Sequence, residues 1–462
     1  MRPHPIIPAL VLCAACSEAP PRLPSALEHG TLVVVTINSP TTVYEDADGN
    51  YAGLEHDLVA AFAGELGLAV RYVFMTDAAQ LFKTLEEGRA HLAAAGIPAL
   101  TPLGTRVRFG PTYQTVRFEV VYRTDQPRPR SVADLLGKRL AMVAGSGGAE
   151  NLRKAGTRDA ALAWSEMPVE DGLALIARLA DGEFDYVVAR SNVVAMATNF
   201  YPNVGRAFIV GEPTPLAWAF PEEGDPRLLA KAEEFFSRIA RDGTLKRLLD
   251  RYHSHAGRLT PVDANGILSK MRTVLPALKP WFQEAERLTG IDWRLLAALG
   301  YQESQWHPLA TSPTGVRGLM MLTEETADRM GVADRLDPYQ SIIAGARYLL
   351  VLKDTLPARI PEPDRTWLAL AAYNLGFGHL EDGRILAQRK GLDPDAWMDV
   401  RQTLPLLSRP DHYMTVQRGF ARGGEAVHLV ENVRIYYDIL KRFEQRERPL
   451  TADAPGYAEA LP

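Results

Sequence analysis

The stretch Asp292-Trp-Arg-Leu-Leu-Ala-Ala-Leu-Gly-Tyr-Gln-Glu303-Ser304 places a carboxylic acid near the end of an apolar helix. Asp292 is a helix N-cap by residue type, and the apolar positions run through Trp293, Leu295, Leu296, Ala298 and Leu299. Glu303 lies four residues after Leu299 and seven after Leu296, so it shares their buried stripe. Among leucines the neutral form of a carboxyl is favoured, because desolvation penalises the charge and raises the pKa. A protonated acid held in a cleft near neutral pH is what glycosidic bond cleavage requires. The plain alternative is a glutamate at a helix end whose head reaches water, and this stretch alone favours it.

Working outward, residues 268–443 read as helices without intervening strands: Leu268–Leu288, Trp293–Tyr301, Thr323–Met330, Pro338–Thr355, Asp364–Tyr373 and Val427–Arg442. Gly and Pro mark the connections, so an all-α domain is expected here. Residues 30–255 have another grammar. Strand-like runs at Thr31–Ile37, Val70–Met75, His91–Ala95, Val116–Arg123, Leu140–Val143 and Tyr186–Ala189 alternate with helices such as Leu54–Leu66 and Ala78–Glu87. That alternation predicts an α/β domain with a largely parallel sheet.

The chain is long enough, at 462 residues, for such a division. A formal net charge of −5 with no basic block argues against a nucleic-acid partner. Both cysteines, Cys13 and Cys16, lie at the start, so the rest of the chain has no thiolate metal site or disulfide framework. Residues 1–15, with Arg2, the apolar run Ile6–Leu12 and the small Ala14 and Ala15, have a secretory signal's layout. Followed by Cys16, Ser17 and a Pro-rich stretch, they resemble a bacterial lipoprotein signal, although Cys13 stands where Leu is usual. The resemblance implies lipidation at Cys16, a linker over 16–29, and an anchor on the inner face of a Gram-negative outer membrane. A plain signal peptide with unmodified Cys16 is the alternative. Residues 256–267 read as a second linker and 447–462 as a disordered tail.

Within residues 30–255, Gly53-Leu-Glu-His-Asp-Leu58, Gly96-Ile-Pro-Ala-Leu-Thr-Pro-Leu-Gly-Thr-Arg106, Phe109-Gly-Pro-Thr-Tyr113, Gly145-Ser-Gly-Gly148 and Asp242-Gly-Thr-Leu245 occur in order. Together they resemble the periplasmic amino-acid-binding proteins, whose two α/β lobes close on a ligand. The resemblance implies that Arg106 (or Arg108) grips a ligand carboxylate, with Ser146 and the Gly147 amide donating from the other lobe. Where the family usually carries an Asp for the ligand's amino group, this chain has Arg190. A cation cannot accept from an ammonium. A peptide, a muropeptide stem, a dianionic ligand or no ligand therefore stay open.

In the helical region Glu303-Ser304, Gly315-Val-Arg-Gly-Leu-Met-Met-Leu-Thr323, Ala371-Ala-Tyr-Asn-Leu-Gly376 and Glu431-Asn-Val-Arg-Ile-Tyr436 follow one another. Singly each has a dull account in packing or helix ends; jointly they resemble the soluble lytic transglycosylase domain, a lysozyme-like helical fold. The two-domain arrangement with a lipoprotein signal resembles the membrane-bound lytic murein transglycosylases. That resemblance implies non-hydrolytic cleavage of the peptidoglycan strand between N-acetylmuramic acid and N-acetylglucosamine, with no metal or organic cofactor. It implies Glu303 as the acid and Ser304 orienting it or the substrate acetamido group. It further implies Tyr373 and Asn374 on sugar, Tyr436 hydrogen-bonding near the acid, and the Met320 and Met321 backbone along the cleft. Met321 stands where the superfamily usually has Gln. A hydrolytic muramidase, or a solute sensor with a scaffold helical domain, are the competing readings.

Overall fold

The computed structural model describes residues 22–45, 50–99, 106–154, 162–168, 172–253, 261–312 and 315–444. Cys16, the signal and the C-terminal tail lie outside these residues. The strands are β1 (Thr31–Ile37), β2 (Tyr44–Glu45), β3 (Tyr51–Ala52), β4 (Ala69–Met75), β5 (Leu92–Ala93), β6 (Val107–Arg123), β7 (Leu140–Val143), β8 (Ser165–Met167), β9 (Tyr186–Arg190) and β10 (Val204–Pro221). Eight of them form one sheet in the order β4-β1-β5-β10-β6-β9-β7-β8, while β2 and β3 form a separate hairpin.

Each flank of that sheet is parallel: β4, β1 and β5 on one side, β9, β7 and β8 on the other. β6 and β10 run antiparallel through the middle and join the lobes. The sheet is therefore mixed rather than largely parallel. β10 escapes a pattern reading because Gly205, Gly211, Pro213 and Pro215 punctuate it like a loop. The structure absorbs them as register shifts between Arg206 and Ile209 and between Val210 and Thr214.

β1 is buried over nearly its whole length, as expected of a strand covered on both faces. Residues 22–29, expected to be part of a linker, pack on the first lobe instead. Ala26 is buried, the Leu23 amide donates to Gly88 O, and Ser25 donates to Asp225 at 2.5 Å.

The second region is all helical. Its expected first helix is two, Pro261–Thr273 and Leu275–Thr289, broken where Pro276 cannot supply an amide. Residues 261–267 are therefore helix rather than linker. Helices Trp293–Ser304, Glu324–Met330, Pro338–Thr355, Asp364–Leu375 and Gly423–Phe443 follow the expected pattern. Phe377–Arg389 had no clear signal because Gly376, Gly378 and Gly383 interrupt it.

The two regions share one core. Ala197 and Phe200, from the helix Ser191–Phe200 of the second lobe, pack in a single apolar cluster with Ile267, Met271 and the interior of the helical region. Arg442 stacks over the Phe200 ring and donates to the Tyr201 hydroxyl at 3.2 Å.

Candidate active site

Trp293–Ser304 begins at Asp292, whose carboxylate accepts from the Arg294 amide at 2.9 Å and from the Tyr437 hydroxyl at 2.9 Å. The second contact ties the helix to Gly423–Phe443. Leu296 and Leu299 are fully buried, and Glu303 on the same stripe is partly buried. Burial alone pushes its carboxyl up to about 8. Among the described residues no hydrogen bond or ion pair reaches that carboxyl, and no other acid bears on its titration.

The chain turns sharply beyond the acid. Gln305 and Trp306 both take positive φ, at 52° and 60°. Such backbone persists only where surrounding contacts over-determine it. Here the buried Trp306 indole donates to Ala297 O at 2.8 Å, and Lys270 donates to Gln305 O at 3.1 Å.

The loop 315–323 lies against this helix. The Ser304 hydroxyl donates to Leu319 O at 2.8 Å, so it joins helix to loop instead of orienting Glu303. The buried Ser341 hydroxyl accepts from the Met320 amide at 3.1 Å. Arg335 holds the loop from outside through the Gly315 and Leu322 carbonyls, each at 3.1 Å. Gly318 sits at φ +84°, and a Cβ there would be driven into the Arg335 carbonyl. Met321 also has positive φ, at 47°.

Tyr373 donates to Met320 O at 2.8 Å, closing the loop against the helix Asp364–Leu375. Burial first, then the neighbouring Glu303 carboxylate, hold its phenol protonated well above the usual range. Tyr348 packs on Tyr373 with ring centroids 5.4 Å apart. Tyr348, Ser341 and Arg335 were not singled out in the sequence; the only trace was a polar aromatic on an apolar helix. Asn374, next to Tyr373, is exposed. Met320 is wholly buried and Met321 partly exposed. Tyr436 packs edge-on against Tyr301 at 4.8 Å, two residues ahead of the acid.

The helix that carries Glu303, the Gly318 loop and Tyr373 are thus fastened to one another. The family model for the transglycosylase SLT domain matches residues 280–394. The model for bacterial extracellular solute-binding proteins, family 3, matches 32–255. A membrane-bound lytic murein transglycosylase F of Nitrosospira multiformis is 54% identical over 413 residues, covering 89% of this chain and 86% of that one. The chain belongs to that family. Its namesake in Methylobacillus flagellatus is 46% identical, covering 98% of this chain and 97% of the other. An arginine-binding protein of T. maritima is 22% identical over 49% of this chain, with a TM-score of 0.44. The enzyme class follows from the membership: this is a lytic murein transglycosylase.

The transglycosylase carries a concavity of about 770 Å³ between the lobes of its solute-binding-protein-like domain. Ser146 and Gly147 line it from the second lobe, and Ser39 and Thr42 from the first. Arg106 does not line it. It stands at the outer end of the β6–β10 pair, exposed, 3.4 Å from Glu223, and Arg108 donates to Glu222 O close by. Both side chains reach the acidic turn after β10, while the Arg106 amide donates at 2.9 Å to Glu86, which lines the cavity. Arg190 does line the cavity, and its guanidinium donates across the lobes to Gly96 O. The Gly96 amide in turn donates to the buried Glu55 at 2.6 Å. Burial raises the Glu55 carboxyl, while hydrogen bonds from Tyr113, Trp218 and Gly96 pull it back. Arg190 is thus a bridge between lobes.

Proposed function

We propose that Glu303 performs both proton transfers of a non-hydrolytic glycan cleavage. As an acid it protonates the oxygen bridging N-acetylmuramic acid and N-acetylglucosamine, and that C–O bond breaks. The substrate's N-acetyl oxygen stabilises the oxocarbenium-like carbon. Glu303, now a carboxylate, takes the proton from the muramyl C6 hydroxyl, whose oxygen closes the 1,6-anhydro ring. One group serves twice because its carboxyl is buried without a protein partner, the observation that carries this reading.

Met320 and Met321 form the wall opposite the acid in this reading, with Asn374 and Tyr436 at its margins. Ser304 and Tyr373 shape the site by fastening the loop, since both hydroxyls are committed to its carbonyls. The product's mass tests the reaction. Glycan strands should yield muramyl ends lacking one water; ends carrying that water would make the enzyme a muramidase.

The binding domain is proposed to take a peptide or muropeptide stem and to regulate cleavage, and Cys16 to carry a lipid anchor in the outer membrane. No helix among the described residues is long and apolar enough to cross a membrane, which suits an anchor supplied by lipid. A ligand can regulate only by favouring one global state, and Arg190 is the group that reports lobe closure. Titrating a stem tetrapeptide by thermal shift should show Arg190→Ala binding roughly tenfold more weakly, as for a lost charged hydrogen bond. Arg106→Ala should bind as wild type. The reverse pattern would restore Arg106 as the ligand grip.

A further inference from the structure

The segment Tyr413-Met-Thr-Val-Gln-Arg-Gly-Phe420 presents an unusual surface on the helical region. Met414 is 74% exposed and Phe420 56%. Their exposure is not slackness, because the backbone beneath them is fastened. Asp382, 1% exposed, accepts the Gln417 amide on one oxygen at 3.1 Å and the Arg418 amide on the other at 2.7 Å. Arg389 donates to Thr415 O at 2.9 Å, and the Ala421 amide to Leu407 O at 3.0 Å. A buried carboxylate spent on two successive loop amides is a costly support unless what the loop presents must be held still.

What it presents is Arg418. Its stem lies along Gly378, where an added Cβ would come within 2.9 Å of Nε and 3.2 Å of Cγ. Gly378 follows Asn374 by four residues across the break at Gly376, so chain length alone keeps the Gly378 backbone under Arg418 within about 14 Å of Asn374. The neighbouring Arg422 and Arg409 have Glu425 and Asp411 beside them, at 3.5 and 3.7 Å. The Arg418 guanidinium has no hydrogen bond or ion pair among the described residues, and it is exposed.

A glycan strand gives such a cation little to read. Both sugars are neutral once the muramyl carboxyl is tied up as an amide. The anions of peptidoglycan are the carboxylates of its peptide stems, and planar guanidinium suits carboxylate. We propose that Arg418 is a substrate-positioning residue: with a strand in the Glu303 cleft, its guanidinium takes a stem carboxylate. Met414 and Phe420 give apolar stem side chains a surface beyond it. This rests on the cleavage reading above and adds a preference for strands that keep their stems.

The test uses soluble, uncross-linked glycan strands with stems, and the same strands after their stem carboxylates have been converted to neutral methyl amides. Arg418→Ala should raise KM about fivefold on stem-bearing strands, within the range of a partly exposed ion pair, leaving kcat unchanged. Arg418→Glu should raise it further. On the neutralised strands both variants should match wild type. Equal changes on the two substrates, or none on stem-bearing strands, would overturn the proposal. So would normal KM values alongside weakened sedimentation with phosphatidylglycerol vesicles, which would make this loop a membrane contact. Failure of the cleavage reading looks different, because Glu303→Gln would then still cut both substrates.

Discussion

Glu303→Gln should lower kcat on glycan strands by at least about a thousandfold, with substrate affinity retained. Positioned acid–base catalysis contributes roughly 10²–10⁴-fold per proton transfer, and this one residue makes both. The amide keeps the shape of the carboxyl but can neither release nor accept the proton. Wild-type kcat/KM should hold steady at lower pH and fall tenfold per unit above about 8, where the acid form of Glu303 is lost. A profile that instead rose through pH 8 would give Glu303 a purely basic role.

The same burial has a stability consequence of known sign. The folded state raises this carboxyl from an ordinary value near 4.5 to about 8, so the folded state binds its proton more tightly. The proton-linked stability is fully present below pH 4.5 and is lost as pH rises through 8. Gln does not titrate, so the variant should be more stable than wild type at pH 9 and indistinguishable from it at pH 4. The gain at high pH should be about 2 kcal/mol after allowing for partial exposure. Catalytic groups commonly carry such a cost, and a thermal scan at the two pH values reads it.

Glu431→Ala should do the opposite: a large loss of stability with little loss of chemistry. Glu431 opens the fourth motif, yet it lies in the junction between the two regions, 1% exposed. It accepts from the Trp397 indole at 2.9 Å and from Arg401 and Arg434, each at 3.2 Å. Arg401 reaches Asp250 of the binding domain at 2.5 Å, and Arg434 donates to Asp250 O at 3.1 Å. Arg251 next to it binds Asp57 of the first lobe at 2.8 Å.

Removing Glu431 leaves the buried Arg434 and the partly buried Arg401 to share Asp250 alone, a change that costs about 3–5 kcal/mol. For a region of this size that is a fall of roughly 6–20 °C in its unfolding transition. Cleavage at low temperature should stay within about twofold of wild type, because Trp397, Arg401 and Arg434 engage Glu431 at the junction between the two regions. A rate collapse with an unchanged melting transition would move Glu431 into the reaction.

Those two glutamates show how far residue patterns carry. For Glu303 the spacing to Leu296 and Leu299 was enough to foresee a buried acid, since side chains three and four apart on a helix share one environment. For Glu431 the same kind of pattern named a motif, which holds its partner Arg434, but not Trp397 and Arg401, which come from a segment 30 to 34 residues away. The likeness to binding proteins likewise led to Arg106 by order along the chain. Nothing local reveals that this side chain pairs with Glu223 across the antiparallel pair.

By itself the sequence determined what depends on near neighbours: a helical region following an α/β region, the acid on its apolar stripe, and the succession of motifs around it. Helical and strand periods are properties of short windows, and so is the desolvation of one side chain on its own helix. Tertiary structure alone decided that β6 and β10 join the lobes as an antiparallel pair, and that Ser304 and Tyr373 fasten a loop rather than touch the acid. It also set Arg190 as the bridge and held Arg418 over Gly378. Each of these is a contact between segments far apart in the chain, and partner choice there follows from packing that no local pattern encodes.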